Sequence, residues 1–284
     1  MIPTKFAYEA PTSVEDALRL LGEAGDEGKI LAGGMSLIPV LKLRLAGPEV
    51  LIDLGKIEDL RGIREDGDAL VIGAMTPHHV VAHDPLVEQH AGLIAAASKT
   101  VADPQVRHRG TFGGGLVHAD PAGDLPAPAL AMGAEFVVAG PGGTRTVPAS
   151  EFFVDLFTTA VGEDEILTHV RIPKHTGWGS SYKKFTRVAQ QWSIVAVAAT
   201  VRVENGTIAE AQIGLTNMGS TPIRPAAVEQ ALVGVSLDEA AVAAATASVA
   251  EGTTPPSDTN GDADYRRHLA GVLTKRAVLT AAGA

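Results

Sequence analysis

Two glycine-rich stretches set the strongest constraint on this chain: Ala32-Gly33-Gly34-Met35-Ser36 and, far downstream, Thr111-Phe112-Gly113-Gly114-Gly115, the second followed by Asp120 and Asp124. Glycine lacks Cβ, so its backbone reaches positive φ and approaches other groups closely, and consecutive amides form a concave, positively polarised cradle. One glycine pair can merely reverse the chain at a turn. Two such stretches in one compact domain predict a dinucleotide whose diphosphate is gripped from both sides. Around the first stretch, residues 29–32 read as a strand, 36–45 as a helix and 50–53 as a second strand, a βαβ unit with the glycines at its strand-to-helix turn.

At 284 residues with 45% hydrophobic, 20% charged and 4% aromatic residues, the chain reads as an ordinary globular protein, and two domains are expected. The formal net charge of −10 disfavours a phosphate backbone or an anionic membrane as partner. The N-terminus, Met1-Ile2-Pro3-Thr4-Lys5-Phe6, carries no apolar signal-peptide run, and no stretch reaches the roughly 18 apolar residues of a membrane span. A cytoplasmic protein is expected. Zero cysteines exclude from this chain a disulfide, a thiolate zinc site, a cysteine nucleophile and a cysteine-ligated iron–sulfur cluster.

Thr12 and Glu15 have capping-box spacing ahead of Ala17, Leu18, Leu20 and Leu21, predicting a helix that ends near Gly25. Residues 69–74 alternate as a strand, and Thr76-Pro77 supplies an N-cap and a first-turn proline for a helix through about His83. A small-residue helix over 93–101 leads to the second glycine stretch, read as a loop; strands follow over 134–139, 145–147 and 166–172. A boundary is placed at 176/177. Beyond it come strands over 180–186, 194–204 and 208–215, the last two joined by the hairpin signal Asn205-Gly206. Ser236 and Glu239 form a second candidate capping box for a helix toward Ala250; 252–264 reads as loop and 265–282 as helix.

Of the groups that could carry chemistry, Ser36 can offer a hydroxyl at a helix start, where free amides face an anion. Lys29 can neutralise charge or be a solvated surface lysine. The spacing differs from the Gly-x-Gly-x-x-Gly of a Rossmann turn. Asp124 is read as an acceptor from ribose or ribityl hydroxyls and Asp120 as a turn residue, against the alternative that both cap a helix near Leu125. His79 and His83 share a helix face without the glutamate of a zincin motif, which favours a solvated histidine-rich helix over a metal site. Lys183, Lys184, Arg187 and Trp192 form a polar cluster, and Trp192 can cover an aromatic ligand.

On Lys29-Ile30-Leu31-Ala32-Gly33-Gly34-Met35-Ser36, on the run from Val106-Arg107-His108-Arg109-Gly110-Thr111 through Asp124-Leu125-Pro126, and on Tyr182-Lys183-Lys184-Phe185-Thr186-Arg187, the chain resembles the FAD-binding medium subunits of molybdenum hydroxylases. This is the carbon monoxide dehydrogenase medium-subunit and xanthine dehydrogenase family. The resemblance implies an α+β fold over residues 1–176, a two-subdomain FAD-binding domain of the vanillyl-alcohol-oxidase/p-cresol-methylhydroxylase type (about 1–56 and 57–176). A smaller α/β C-terminal domain over 177–284 follows, with a three-stranded antiparallel sheet and helices. The implied contacts to non-covalent FAD are residues 29–36 and Thr111, Phe112, Gly113, Gly114 and Gly115, with Val101, Asp124, Leu167, Lys184 and Trp192 elsewhere on the cofactor. Implied partners are a large molybdenum-pterin subunit and a small [2Fe–2S] subunit, in a dimer of heterotrimers, with this chain relaying electrons and holding no catalytic side chain or metal. Met35, Gly115 and Val188 depart from residues common in that family. Two competing readings are a self-contained flavoprotein oxidoreductase and a non-catalytic dinucleotide-binding assembly module.

Overall fold

The computed structural model describes residues 2–284; Met1, the first residue of the N-terminal stretch read above, lies outside them. The N-terminal unit runs β1 (Ala7–Glu9), α1 (Val14–Ala24), β2 (Gly28–Leu31), α2 (Leu37–Lys42) and β3 (Val50–Asp53). Both β1 and β2 pair parallel with β3, giving the order β1-β3-β2. The βαβ unit is present as expected, whereas β1 was not anticipated: three residues carry too little pattern to read. The expected Thr12 cap is corrected to Ser13, whose side chain accepts from the Asp16 amide. α1 buries Ala17 and Leu21 against Ile52, Leu54 and Ile57, and the same cluster takes in Leu60, Met75 and Ile166 of the next unit.

The second unit begins with the hairpin β4 (Ile63–Asp66) and β5 (Ala69–Gly73), continues through short helices α3 (His78–His83), α4 (Pro85–His90), α5 (Gly92–Lys99), α6 (Pro104–Arg109), α7 (Phe112–His118) and α8 (Pro126–Ala131), and adds β6 (Glu135–Gly140), β7 (Gly143–Pro148), α9 (Ala149–Phe152), β8 (Phe153–Asp155), β9 (Thr158–Thr159) and β10 (Ile166–Pro173). Its five-stranded antiparallel sheet has the order β4-β5-β10-β6-β7. The helices cover one face, and the core includes Phe136 stacked on Phe152 at 3.6 Å between ring centroids. Thr76 does not cap α3. Its hydroxyl instead bonds the amide and carbonyl of Gly62, tying the β4 approach to the end of β5.

The third unit is the antiparallel sheet β11 (Gly179–Phe185), β12 (Val195–Glu204) and β13 (Thr207–Thr216), followed by α10 (Ala226–Leu232), α11 (Glu239–Ala245) and α12 (Ala263–Ala282). β12 is apolar on both faces for a reason: Val195, Val197, Ala199 and Val201 meet the C-terminal helices, while Ala198 joins the core of the second unit. Leu269, Ala270, Leu273, Ala277, Val278 and Ala281 form the helical stripe of α12 that closes this core. Asn205 and Gly206 have φ of 50° and 77°, the two left-handed positions of a hairpin turn. The expected capping box at Ser236 is corrected to Asp238, which accepts from the amides of Ala240 and Ala241, and α11 stops at Ala245 rather than Ala250. No helix among the described residues is long and apolar enough to cross a membrane.

Candidate functional site

The two glycine stretches, distant in sequence, touch. A Cβ added at Gly33 would lie 2.2 Å from the Arg109 carbonyl oxygen and 2.7 Å from Gly110 Cα, and one at Gly114 would lie 3.3 Å from Ala32 Cβ. Glycine is required here because two backbones meet. Between the first unit, the second and the rim of the third lies a cavity of about 940 Å³, at the large end of the range for ligand sites, mostly apolar with converging polar groups.

The two sides of this cavity differ in a way the pattern did not reveal. At the first stretch, β2 ends, Gly34 turns with φ of 76°, and α2 begins. Gly33, Gly34, Met35 and Ser36 lie outside any strand or helix ladder, and their amides have no backbone acceptor among the described residues. The Ser36 hydroxyl makes no cap, so it too is free to meet an acceptor. The second stretch, expected as a loop with an amide cradle, is corrected to the first turn of α7. There Phe112 N donates to Thr76 O, Gly113 N to Ala74 O, Gly115 N to Thr111 O and Gly114 N to the Thr111 hydroxyl. Those amides are already engaged. Glycine at 113 instead lets α7 sit on the end of β5, where a Cβ would come 2.5 Å from that of Ala74.

Of the expected contacts, Lys29, Ile30, Ala32 to Ser36, Val101, Thr111, Gly113 to Gly115, Asp124, Leu167, Lys184 and Trp192 all line the cavity. Two do not. Phe112 is fully buried in the core of the second unit, and Leu31 packs beneath the turn, its Cδ1 lying 3.4 Å from where a Gly34 Cβ would be. Asp120 holds its turn by accepting from the Ala122 amide at 2.9 Å, and neither it nor Asp124 caps α8, whose N-cap is Leu125. His79 and His83 lie away from the cavity: His83 Nδ1 donates to the His79 carbonyl, and His79 stacks on His108 at 3.9 Å. No cluster among the described residues has the makings of a metal site.

Asp124 and Lys184 were expected as separate contacts and form one unit. The Lys184 Nζ lies 2.8 Å from Asp124 Oδ2, while Tyr182 and Ser193 hydroxyls donate to Oδ1 at 2.8 and 3.3 Å. With side chains 8% and 3% exposed, this pair crosses from the second unit to β11. Burial pushes the Asp124 carboxyl above the usual carboxylate range, partly offset by Lys184 and the two hydroxyls. Burial likewise raises the Tyr182 hydroxyl well above its ordinary value, with Asp124 adding to the effect.

Several wall residues were not anticipated: His78, Gly110, Val106, His118, Gln190, and Phe157 with φ of 53° on the exposed 8–9 strand turn. His78 carries no sequence signal of its own beside the His79/His83 spacing, and Phe157 reaches the wall through tertiary packing. Free amides on one side, a close-packed helix on the other and an apolar interior with a half-exposed Trp192 fit a dinucleotide bearing an aromatic ring system.

Fold and cavity together define an FAD-binding protein of two domains. Residues 4–175 match the FAD binding domain in molybdopterin dehydrogenase and residues 180–281 the CO dehydrogenase flavoprotein C-terminal domain, so the chain belongs to that flavoprotein family. It is 43% identical to the carbon monoxide dehydrogenase medium chain of Hydrogenophaga pseudoflava, over 98% of this chain and 97% of that one. The structure of carbon monoxide dehydrogenase from that organism superposes with a TM-score of 0.95 at 44% identity, covering 99% of this chain and 98% of the other. Quinoline 2-oxidoreductase from Pseudomonas putida 86 gives the same TM-score, 0.95, at 32% identity, over 100% and 99% of the two chains.

Proposed function

We propose that this chain is the electron-relaying FAD subunit of a heterotrimeric molybdenum hydroxylase. It accepts electrons from [2Fe–2S] clusters on a small partner and delivers them to an external acceptor, while substrate is oxidised at molybdenum-pterin on a large partner. The observation that carries this reading is the shared cavity at the meeting of the two glycine stretches, walled by backbone and apolar side chains. When bound, non-covalent FAD supplies electron exchange in single steps and in pairs.

The chain's own residues bind and orient. The unpartnered amides of 33–36 and the Ser36 hydroxyl would donate to acceptor oxygens of the cofactor; α7 sets the opposite wall; the Asp124–Lys184 pair locks β11 to the second unit; Trp192 would cover one end. A carbon monoxide dehydrogenase and a quinoline 2-oxidoreductase share this fold at nearly full length, which supports placing substrate choice on the large partner. Assembly as a dimer of heterotrimers in the cytoplasm belongs to the same proposal.

The test is affinity purification of the tagged chain from its native host, followed by addition of candidate substrates under anaerobic conditions. The expected result is co-purification of a cysteine-rich chain and a long molybdenum-binding chain, with bleaching of the flavin band only in the complex. Bleaching by an organic substrate in the isolated chain would overturn the relay and favour a self-contained enzyme.

A further inference from the structure

The wall formed by α7 has a shortage of donors. The amides of Phe112, Gly113, Gly114 and Gly115 are all engaged within the protein, and the Thr111 oxygen accepts from Gly114. A buried polar side chain is wedged into this wall between Thr111, at the start of α7, and the partly exposed His118 at its end. His78 is 5% exposed, and its own amide donates to the Gly110 carbonyl at 3.0 Å. Its ring lies in the notch between two glycines: a Cβ at Gly110 would come 3.1 Å from Nε2, and one at Gly115 would come 3.2 Å from Cε1 and 3.6 Å from Nε2. Nε2 therefore occupies space that a side chain at either position would contest, and the residue forms part of the cavity lining.

The other ring nitrogen fixes the tautomer. Nδ1 is sealed from solvent with no hydrogen-bond partner. An orphaned buried N–H is costlier and rarer than an orphaned acceptor, so Nδ1 is the bare acceptor and the proton resides on Nε2. Burial, helped by Arg107, lowers the His78 pKa to about 4, so the ring is neutral near pH 7 and donates one N–H without adding charge.

We propose that His78 is a cofactor-binding residue whose Nε2–H donates to an acceptor oxygen of the bound FAD at the junction of the two glycine stretches. It supplies from a side chain the donor that the amides of α7 do not offer. Direct contact distinguishes this role from packing beneath Gly110 and Gly115.

The experiment uses the full chain, without cofactor and titrated with FAD. His78→Met fills the notch without a donor; His78→Gln restores an N–H near the Nε2 position. Loss of one neutral hydrogen bond predicts FAD binding about fivefold weaker in His78→Met, and recovery to within about twofold of the parent in His78→Gln. Cofactor-free unfolding midpoints of the two variants should match each other. In the parent chain labelled with ¹⁵N-histidine, His78 Nε2 should carry the proton, and its resonance should shift when FAD is added. Equal FAD affinity in His78→Met and the parent, or a His78 resonance unmoved by FAD, overturns the proposal; if His78→Met does not fold, the resonance decides alone.

Discussion

Gly33→Ala tests whether the two glycine stretches are glycine because their backbones meet. The added methyl would sit 2.2 Å from Arg109 O and 2.9 Å from Arg109 C, both backbone atoms that cannot rotate away. Restoring an ordinary contact near 3.5 Å requires the α6–α7 connection to retreat by about 1.3 Å. Overpacking of this kind costs about 1–3 kcal/mol, and the smaller unfolded-state entropy of alanine returns about 0.4–1 kcal/mol. A net loss of about 1–2 kcal/mol lowers the unfolding midpoint of a chain this size by a few degrees, about 2–6 °C. FAD binding should weaken more than stability does, by about tenfold or more, since displacing a cavity wall by about 1 Å spoils every contact across it. The control is Gly22→Ala, inside α1 with nothing within 4 Å of the new methyl. Helix propensity there predicts a gain of up to about 1 kcal/mol with FAD affinity unchanged. The assays are thermal unfolding of the cofactor-free chain and fluorescence titration with FAD. A Gly33→Ala chain that melts and binds like the parent would refute the reasoning, as would equal damage from both substitutions.

Lys184→Met leaves Asp124 buried without its cation and should cost about 3–5 kcal/mol, whereas the double variant Asp124→Asn/Lys184→Met should recover at least half of that. A double-mutant cycle by denaturant unfolding measures the coupling, and additive losses would show that the pair does not act as a unit. Trp192→Ala, at a residue 53% exposed, should change cofactor-free stability by no more than about 0.5 kcal/mol, while the visible band of bound FAD shifts; an unmoved band would remove Trp192 from the flavin. The Arg145 guanidinium, 2.6 Å from Glu165 at the cavity rim, holds that carboxyl below the usual range. A lowered folded pKa contributes stability above the unfolded value that disappears as pH falls through the folded one, so the parent should lose stability below about pH 4.5. Arg145→Leu should flatten that decline in melts across the acid range; an unchanged slope would mean that other carboxylates govern it.

Strand and helix patterns carried far where a periodic run was long enough. β3, β12 and α12 fall within a few residues of their predicted spans because burial dictates a continuous apolar run in a strand covered on both faces and helical spacing in a helix packed on one side. Capping residues slipped by one or two positions, from Thr12 to Ser13 and from Ser236 to Asp238, since neighbouring oxygens of similar chemistry compete and packing selects the winner. Three-residue β1 escaped because nothing periodic fits in so few residues, and the Ile63–Asp66 strand, as short as β3, because it carries one apolar residue and three exposed charged ones where β3 has the run Val50-Leu51-Ile52.

The residues at the glycine stretches, the absent cysteines and the acidic balance were legible in the sequence, and with them a dinucleotide site lacking a metal–thiolate centre. Only the tertiary structure decided what each glycine does. Gly33, Gly34 and Ser36 border amides free to meet a ligand, whereas the amides of Phe112 to Gly115 are closed by Thr76, Ala74 and Thr111. The first stretch combines close approach, at Gly33, with free donors, whereas the second serves close approach alone. Hydrogen-bond partners lie far away along the chain, and so do the groups that crowd a missing Cβ. His78 became visible for the same reason: its orphaned Nδ1 and its place between Gly110 and Gly115 exist only after α3 and α7 have packed together.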